Sequence, residues 1–286
     1  MSSVSIITDS SAEFAPEEAA ELGISILPLR YMIGNAICRE GVDISSDRLL
    51  EMVSQASTTV TPLPPDGEDV AAMLESAARA GQVALFLHVA NGLVPVAEPI
   101  QSVAQKLFGR ARIEVIDSLG VSYGLKRIVE ESARAAANGL SLPAVTQMAR
   151  AMISRVYTLF YADDFEALEK TVDIHPAQAV LASILGVRPL LVLEEGRLIP
   201  LEKITPRSTP VDKLTDFVFE FAGVAEMAVL TGPREPDFDI GELRQRVLQQ
   251  YPNLVIPTVP FGPLIASTVG ASAVGVFVYE GLQSGW

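Results

Sequence analysis

Short apolar runs alternate with segments of helical periodicity through the first half of the chain. Residues 4–7, 83–89 and 113–116 are nearly all apolar, and a segment with apolar residues at helical spacing follows each run. Runs of this length are typical of strands buried in a parallel sheet, where helices supply the crossovers. Because such crossovers are right-handed, successive strands fall into one sheet. The first half therefore predicts a largely parallel sheet with flanking helices.

The second half of the chain predicts strands of a different kind. Residues 189–194 and 198–204 are apolar runs separated by Glu195-Gly196, which is typical of a β-hairpin. Further strands are expected at 156–161, 226–230, 254–259 and 273–279, and helices at 165–170, 176–185, 211–221 and 240–251. We therefore expect an α/β protein of two domains, residues 1–150 and 151–286, the second built on a mixed sheet.

Prolines modify two segments of the first half. Residues 24–31 predict one strand with Pro28 near its middle, which indicates an edge strand or a bulge. Residues 57–65 combine threonines with prolines, which excludes a helix and favours extended backbone. We expect a stiff loop that displays its hydroxyl groups there, with a surface linker as the alternative.

Polar residues follow each of the three main strands of the first half. The three clusters are Thr8-Asp9-Ser10, Asn91-Gly92 and Asp117-Ser118. Ligands of open α/β sheets bind beyond the carboxyl ends of parallel strands, and free helix N–H groups suit an anion. Capping of the next helix is the alternative for any single cluster. Because all three clusters would meet at one sheet edge, the pattern predicts a binding site there.

Composition and charge exclude several classes of function. The net charge of −14 disfavours nucleic acid as a partner, and the single cysteine, Cys38, permits no intrachain disulfide. The N-terminus lacks a basic, apolar leader, so we expect a cytoplasmic protein. Residues 254–279 carry no charge, but their prolines and glycines predict separate strands and a short helix rather than a membrane span.

The side chains available for catalysis are few. The chain has two histidines and no glycine-rich nucleotide fingerprint, and Asp163-Asp164 has no third metal ligand at suitable spacing. We therefore expect no cofactor and no metal ion. Hydroxyl and amide groups at strand ends suit a polar head group, while the apolar segments suit an apolar tail. A rival hypothesis is a hydrolase or phosphotransferase that uses Asp9 together with Asp117 at the sheet edge and requires Mg²⁺.

The order of segments resembles the DegV family over essentially the whole chain. Three motifs carry the resemblance: Ile7-Thr8-Asp9-Ser10-Ser11, Gly41-Val42-Asp43-Ile44-Ser45 and Ile116-Asp117-Ser118. The resemblance implies two α/β domains that bind a long-chain fatty acid without catalysis. It places the ligand cleft, with an apolar tunnel for the acyl chain, between the domains.

The resemblance also implies which residues hold the carboxylate. Thr59 matches the threonine that typically bonds it, Asn91 takes the place of a serine, and the adjacent Gly92 is kept. Thr268 stands where the family has a histidine, and Lys170-Thr171-Val172-Asp173 replaces its Lys-Gly-Gly-Arg segment. Ser10 and Thr61 are expected nearby.

The scarcity of histidine and the absence of a second acid beside Asp9 indicate a structural rather than a catalytic role for it. Asp9 and Asp117 are expected to organise the pocket, with the Asp9 carboxyl group accepting backbone N–H bonds. Such proteins resemble the acyl-carrying subunit of a two-component fatty-acid kinase, so a separate ATP-binding subunit is the implied partner. A degenerate paralogue that acts only through protein interaction remains the third hypothesis.

Overall fold

The computed structural model describes residues 4–55, 58–79, 83–162, 188–204 and 209–281. The first of its sheets is parallel and has the strand order β2-β1-β6-β7. Its strands are β1 (Val4–Asp9), β2 (Ile24–Leu27), β6 (Val83–His88) and β7 (Ile113–Asp117). A small antiparallel sheet of order β4-β3-β5 is built from the chain between β2 and β6. It consists of β3 (Arg30–Ile33), β4 (Ala36–Arg39) and β5 (Val60–Leu63).

Six helices belong to this half of the described chain. They are α1 (Pro16–Glu21), α2 (Ser46–Gln55), α3 (Gly67–Arg79), α4 (Ala97–Lys106), α5 (Ser122–Ala137) and α6 (Leu142–Ile153). Helix α5 packs on both β1 and the turn after it. The buried residues of α5, which include Leu125, Ile128 and Val129, recur at helical spacing and form one face.

The second half is built on a six-stranded mixed sheet of order β10-β9-β8-β13-β11-β12. Its strands are β8 (Val156–Tyr161), β9 (Arg188–Glu194), β10 (Arg197–Ile204), β11 (Val224–Thr231), β12 (Thr258–Pro260) and β13 (Val274–Glu280). Strands β11 and β12 pair in parallel, whereas the other neighbours are antiparallel. Among the described residues of this half, the helices are α7 (Pro210–Phe219), α8 (Ile240–Gln250) and α9 (Pro263–Val269).

The predicted fold class is confirmed, with a parallel sheet in the first half and a mixed sheet with a β-hairpin in the second. The domain boundary at residue 150 stays a prediction. Several expectations lie outside the described residues: the helices at 165–170 and 176–185, the pair Asp163-Asp164, and the segment 170–173. None of the helices in the described ranges is long and apolar enough to cross a bilayer.

Three predicted segments were wrong in detail. Residues 24–31 form two strands in different sheets, because the chain leaves the parallel sheet at Pro28. The predicted loop at 57–65 contains β5, which tolerates Pro62 because it lies at a sheet edge. The strand predicted at 254–259 is shorter than expected: only Thr258–Pro260 pairs, with β11.

A continuous apolar core joins the two halves. Phe160 and Phe277 of the mixed sheet belong to the same buried cluster as Leu125 of α5. The Tyr123 ring meets the Phe277 ring edge-on, with 5.0 Å between centroids. The opposite face of the mixed sheet packs against α7 and α8 through a second cluster that includes Leu214 and Leu243. The two halves therefore share a core across one face of the mixed sheet.

Close packing at this core makes Gly275 of β13 sensitive to substitution. A Cβ atom there would lie 2.8 Å from the Phe160 ring and 3.2 Å from Leu230 Cβ. We expect Gly275→Ala to lower the free energy of unfolding by about 1–3 kcal/mol through overpacking. Gly67→Ala is the matched control, because nothing lies within 4 Å of its Cβ position. Urea unfolding measures both, and equal stability of the two variants would contradict the packing described.

Candidate functional site

The polar clusters after β1, β6 and β7 meet at one edge of the parallel sheet. The Asp9 carboxyl group accepts hydrogen bonds from the Val89 N–H at 2.6 Å and from the Ser11 N–H at 3.1 Å. The Ser11 hydroxyl also donates to it. Asp9 is only 1% exposed, and burial raises its pKa, while the bonds from Ser11 and Val89 act in the opposite direction. Its backbone N–H bonds are those expected of a residue that holds the turn.

The Ser10 hydroxyl forms hydrogen bonds within the protein. Its hydroxyl donates to Glu40 Oε2 at 2.6 Å and accepts the Leu29 N–H at 3.1 Å. The other oxygen of Glu40 accepts the Ser46 hydroxyl at 2.7 Å. Burial raises the pKa of Glu40, against the effect of these hydroxyl donors. Ser10 therefore links the first turn to the small sheet and to α2.

Two buried side chains near this edge were missed by sequence reasoning, Glu40 and Tyr31. The Tyr31 hydroxyl has no hydrogen bond of standard geometry within the described part of the chain, although the Glu40 carboxyl group lies close to it. Burial raises the pKa of Tyr31, and Glu40, Glu13 and Asp9 add to the effect. No local motif signals this cluster, because its members are brought together from separate turns and strands.

Asn91 and Asp117 interact directly. The Asn91 N–H donates to Asp117 Oδ2 at 3.2 Å, and Asp117 Oδ1 accepts the Leu119 N–H at 2.9 Å. The side-chain oxygen of Asn91 accepts the Ala97 N–H at 2.9 Å, which caps the start of α4. This bond fixes the orientation of the amide. Among the described residues its Nδ2 group has no partner, so both of its hydrogens are available to a ligand.

Gly92 lies where the loop after β6 meets the β9–β10 hairpin. A Cβ atom at Gly92 would lie 2.5 Å from the Gly196 carbonyl oxygen and 2.6 Å from Arg197 Cγ. Only glycine permits this approach of the two backbones. Gly196 in turn packs against Leu119, since a Cβ atom there would lie 3.3 Å from Leu119 Cδ2. Gly92 therefore joins the strand-end edge to the second half of the protein.

The three predicted threonines occupy different surroundings. Thr59 is exposed directly before β5. Thr61 pairs with Met32, which is 39% exposed, so its side chain lies on the outer face of the small sheet, opposite to Tyr31. Thr268 is buried in α9 and donates to the Leu264 carbonyl oxygen at 2.7 Å. The strand-end edge thus contains Asp9, Ser10, Asn91 and Asp117, but Thr61 faces elsewhere.

A cavity of about 330 Å³ lies beside Gly120, between the loop after β7 and strands β8 and β9. Its lining includes the apolar side chains of Leu119, Val156 and Phe217. Three acidic side chains also line it, Glu194, Glu195 and Glu220. Because Leu119 directly follows Asp117-Ser118, this cavity is adjacent to the strand-end edge.

Comparison with known families identifies the chain. The model of the family described as "uncharacterised protein, DegV family" matches residues 3–281. The chain belongs to the DegV family. A DegV domain-containing protein of Halalkalibacterium halodurans is 24% identical to it over 98% of this chain and 99% of the relative. One of Streptomyces coelicolor is 27% identical over 96% and 98% of the two chains.

Solved DegV structures share the fold. A DegV family protein of Thermus thermophilus, described as fatty acid binding, has a TM-score of 0.81 at 23% identity and covers 97% of this chain and 99% of its own. DegV of Bacillus subtilis, described as a fatty acid binding protein, has a TM-score of 0.81 at 20% identity over 98% and 100%. The Fatty Acid Kinase B3 protein of Streptococcus pneumoniae, loaded with linoleic acid, has a TM-score of 0.78 at 18% identity over 98% and 100%.

The geometry of this DegV chain does not favour the rival hydrolase or phosphotransferase. Both oxygens of Asp9 and both oxygens of Asp117 accept hydrogen bonds from the protein itself. His88 is buried, with Nδ1 placed 2.7 Å from the Val89 carbonyl oxygen. Within the described ranges, no three His, Cys, Asp or Glu side chains are grouped to hold a metal ion. Asp9 is thus poorly placed to act as a nucleophile.

A structural role for Asp9 has a measurable consequence. We expect Asp9→Asn to lower the free energy of unfolding by about 1–3 kcal/mol, because an amide cannot accept from both the Val89 and the Ser11 N–H groups. Asp47→Asn on the exposed first turn of α2 is the control and should cost less than about 1 kcal/mol. Urea unfolding followed by circular dichroism distinguishes them. An unchanged Asp9→Asn midpoint would show that these bonds do not stabilise the turn.

Proposed function

We propose that this DegV protein binds a long-chain fatty acid without catalysis and holds the carboxylate at the strand-end edge. The observation that carries the proposal is the orientation of Asn91. Its oxygen caps α4, so its Nδ2 group offers two hydrogens at the carboxyl ends of β6 and β7. A neutral donor binds a carboxylate without a buried counter-charge, which would itself be costly to desolvate.

The cavity beside Leu119 is where we place the acyl chain. Leu119, Val156 and Phe217 offer it an apolar surface. The three glutamates of the lining repel a carboxylate, so the fatty acid would enter tail first and keep its charged end near Asn91. Burial of a dozen methylenes at ~0.8 kcal/mol each contributes on the order of 10 kcal/mol before the cost of association.

The other predicted ligand residues receive unequal support. Thr59 is exposed, and among the described residues no partner is recorded for its hydroxyl, which suits a carboxylate donor. Gly92 would act indirectly, through the close contact with Gly196 that positions the Asn91 loop. Ser10 and Thr268 already use their hydroxyl hydrogens within the protein, and Thr61 lies on an outer face. We therefore assign the main contact to Asn91, with Thr59 as the second donor that the family resemblance implies.

The solved relatives support both the ligand and a partner. Two of them are described as fatty acid binding, and a third is the B3 protein of a fatty acid kinase. By analogy, this chain would present its fatty acid to a separate ATP-binding kinase subunit. The partner would supply the phosphate chemistry, since the sequence contains no phosphate-binding glycine loop.

Co-purified lipid tests the proposal directly. Native mass spectrometry of the purified protein should show an added mass that disappears after denaturing extraction, and the extract should contain a fatty acid. Added palmitate or oleate should bind to delipidated protein and raise its melting temperature. A ligand-free protein that rejects both fatty acids would overturn the proposal.

Asn91→Asp separates the ligand role of this side chain from its capping role. The aspartate keeps an oxygen for the Ala97 N–H but replaces the two donor hydrogens with a repulsive charge. We expect oleate to bind at least about tenfold more weakly, which corresponds to ~1.4 kcal/mol, while the urea midpoint stays unchanged.

The matched control is Asn35→Asp in the exposed β3–β4 turn, which changes the net charge equally. It should leave oleate affinity unaltered. Displacement of a fluorescent fatty acid measures both variants. Equal affinity of Asn91→Asp and the native protein would remove Asn91 from the site.

A further inference from the structure

Glu13 contacts two distant parts of the chain at once. It follows the turn after β1, and its Oε2 accepts the Ser122 hydroxyl at the start of α5, at 2.6 Å. Its Oε1 accepts the Gly262 N–H, at the residue that precedes α9. The contact with Gly262 is close, because a Cβ atom there would lie 2.7 Å from Glu13 Oε1. One side chain thus connects the first half to the helix that carries Thr268.

The backbone conformation at this contact is unusual. Glu13 and Ser122 both adopt positive φ, at 57° and 53°, a region that side-chain-bearing residues rarely occupy. Such strain persists only where surrounding structure stabilises it. The hydrogen bond between these two residues, together with the bond to Gly262, supplies that stabilisation.

The charges around Glu13 are mostly negative. Glu40 and the Tyr31 hydroxyl approach it from the small sheet, and Asp9 lies near the same hydroxyl. Lys126 of α5 acts on Glu13 in the opposite direction, and its ammonium group bonds Glu18 of α1. Helix α9 has no titratable side chain. Burial raises the pKa of Glu13 to about 8, and Glu40 adds to the effect against the bonds from Ser122 and Gly262.

We propose that Glu13 is the positioning residue that holds α9 against the strand-end edge, through its contacts with Ser122 and Gly262. Burial beside Glu40 favours a protonated Glu13. Both contacts persist in that form, because Oε1 accepts the Gly262 N–H while the Ser122 hydroxyl, which donates to an ionised Oε2, turns to accept the acid hydrogen. Ionisation places a second negative charge near the Glu40 carboxyl group and favours entry of water into the contact. Helix α9 packs against α2 and β5, so its displacement also disturbs the segment that begins at Thr59.

The consequence for ligand binding is a loss of affinity in alkaline solution, which rests on the proposed function. The folded protein retains the Glu13 proton between about pH 4.5 and about 8, so this stabilisation is present at low pH and is lost as pH rises through about 8. If the protonated form binds, apparent oleate affinity should fall about tenfold between pH 7 and pH 9. Tyr31 does not titrate in this window, because its pKa is raised well above 10.

Glu13→Gln and Glu13→Ala test the inference together. The glutamine copies the neutral acid, with an oxygen for Gly262 and an N–H donor for Ser122, so its oleate affinity should stay flat from pH 7 to pH 9. The alanine removes both bonds and should bind weakly at every pH. Glu17→Gln, on the exposed first turn of α1, changes the charge equally and should follow the native pH profile.

Hydrogen exchange of the amides in residues 261–270 gives a readout that needs no ligand. At pH 9 these amides should exchange faster in the native protein than in Glu13→Gln, whereas at pH 6.5 the two should match. Oleate binding with the same pH profile in the native protein and in Glu13→Gln, or matched exchange at pH 9, would overturn the inference. The expected exchange difference without any fatty-acid binding would instead overturn the proposed function and leave the role of Glu13 supported.

Discussion

The hydrogen bonds to the Asp9 carboxyl group are the constraint on which the strand-end edge depends. They join the end of β1 to Val89, directly after β6, and close the turn at Ser11. A buried backbone N–H must have an acceptor, and no neighbouring strand supplies one where the sheet ends. Asp9 supplies it from its side chain. The positions of Ser10, Glu13 and Asn91 all follow from the two chain segments that this carboxyl group connects.

The turn after β1 also forms hydrogen bonds with several other segments of the protein. Ser10 reaches Glu40 and Leu29, so it connects the parallel sheet to the small sheet. Glu13 reaches Ser122 and Gly262, so it connects the same turn to α5 and α9. The polar groups of this turn are bonded to one another and to neighbouring segments at the border of the shared apolar core. Such networks specify one arrangement strongly, because a half-satisfied buried group is costly.

Sequence reasoning succeeded where local pattern and chain topology agree. The convergence of Asp9, Asn91 and Asp117 followed from parallel strands and right-handed crossovers, which bring strand ends to one edge. It failed at Pro28, because apolar alternation continues across the point where the chain changes sheets. Glu40 and Tyr31 could not be identified either, since an acid or a tyrosine in an edge hairpin usually faces solvent. Their burial depends on packing against distant segments, which no local pattern encodes.

Asn91 explains how this chain could recognise a carboxylate despite its altered motifs. Where the family has a histidine, Thr268 uses its hydroxyl hydrogen on the Leu264 carbonyl oxygen, so little donor capacity remains in α9. On the proposed function Asn91, after β6, would compensate, because one end of its amide is fixed by the Ala97 N–H and the other keeps two hydrogens. A serine in that place has a single hydrogen. Head-group recognition would then shift from α9 toward the end of β6, and α9 would contribute through its position, which Glu13 controls.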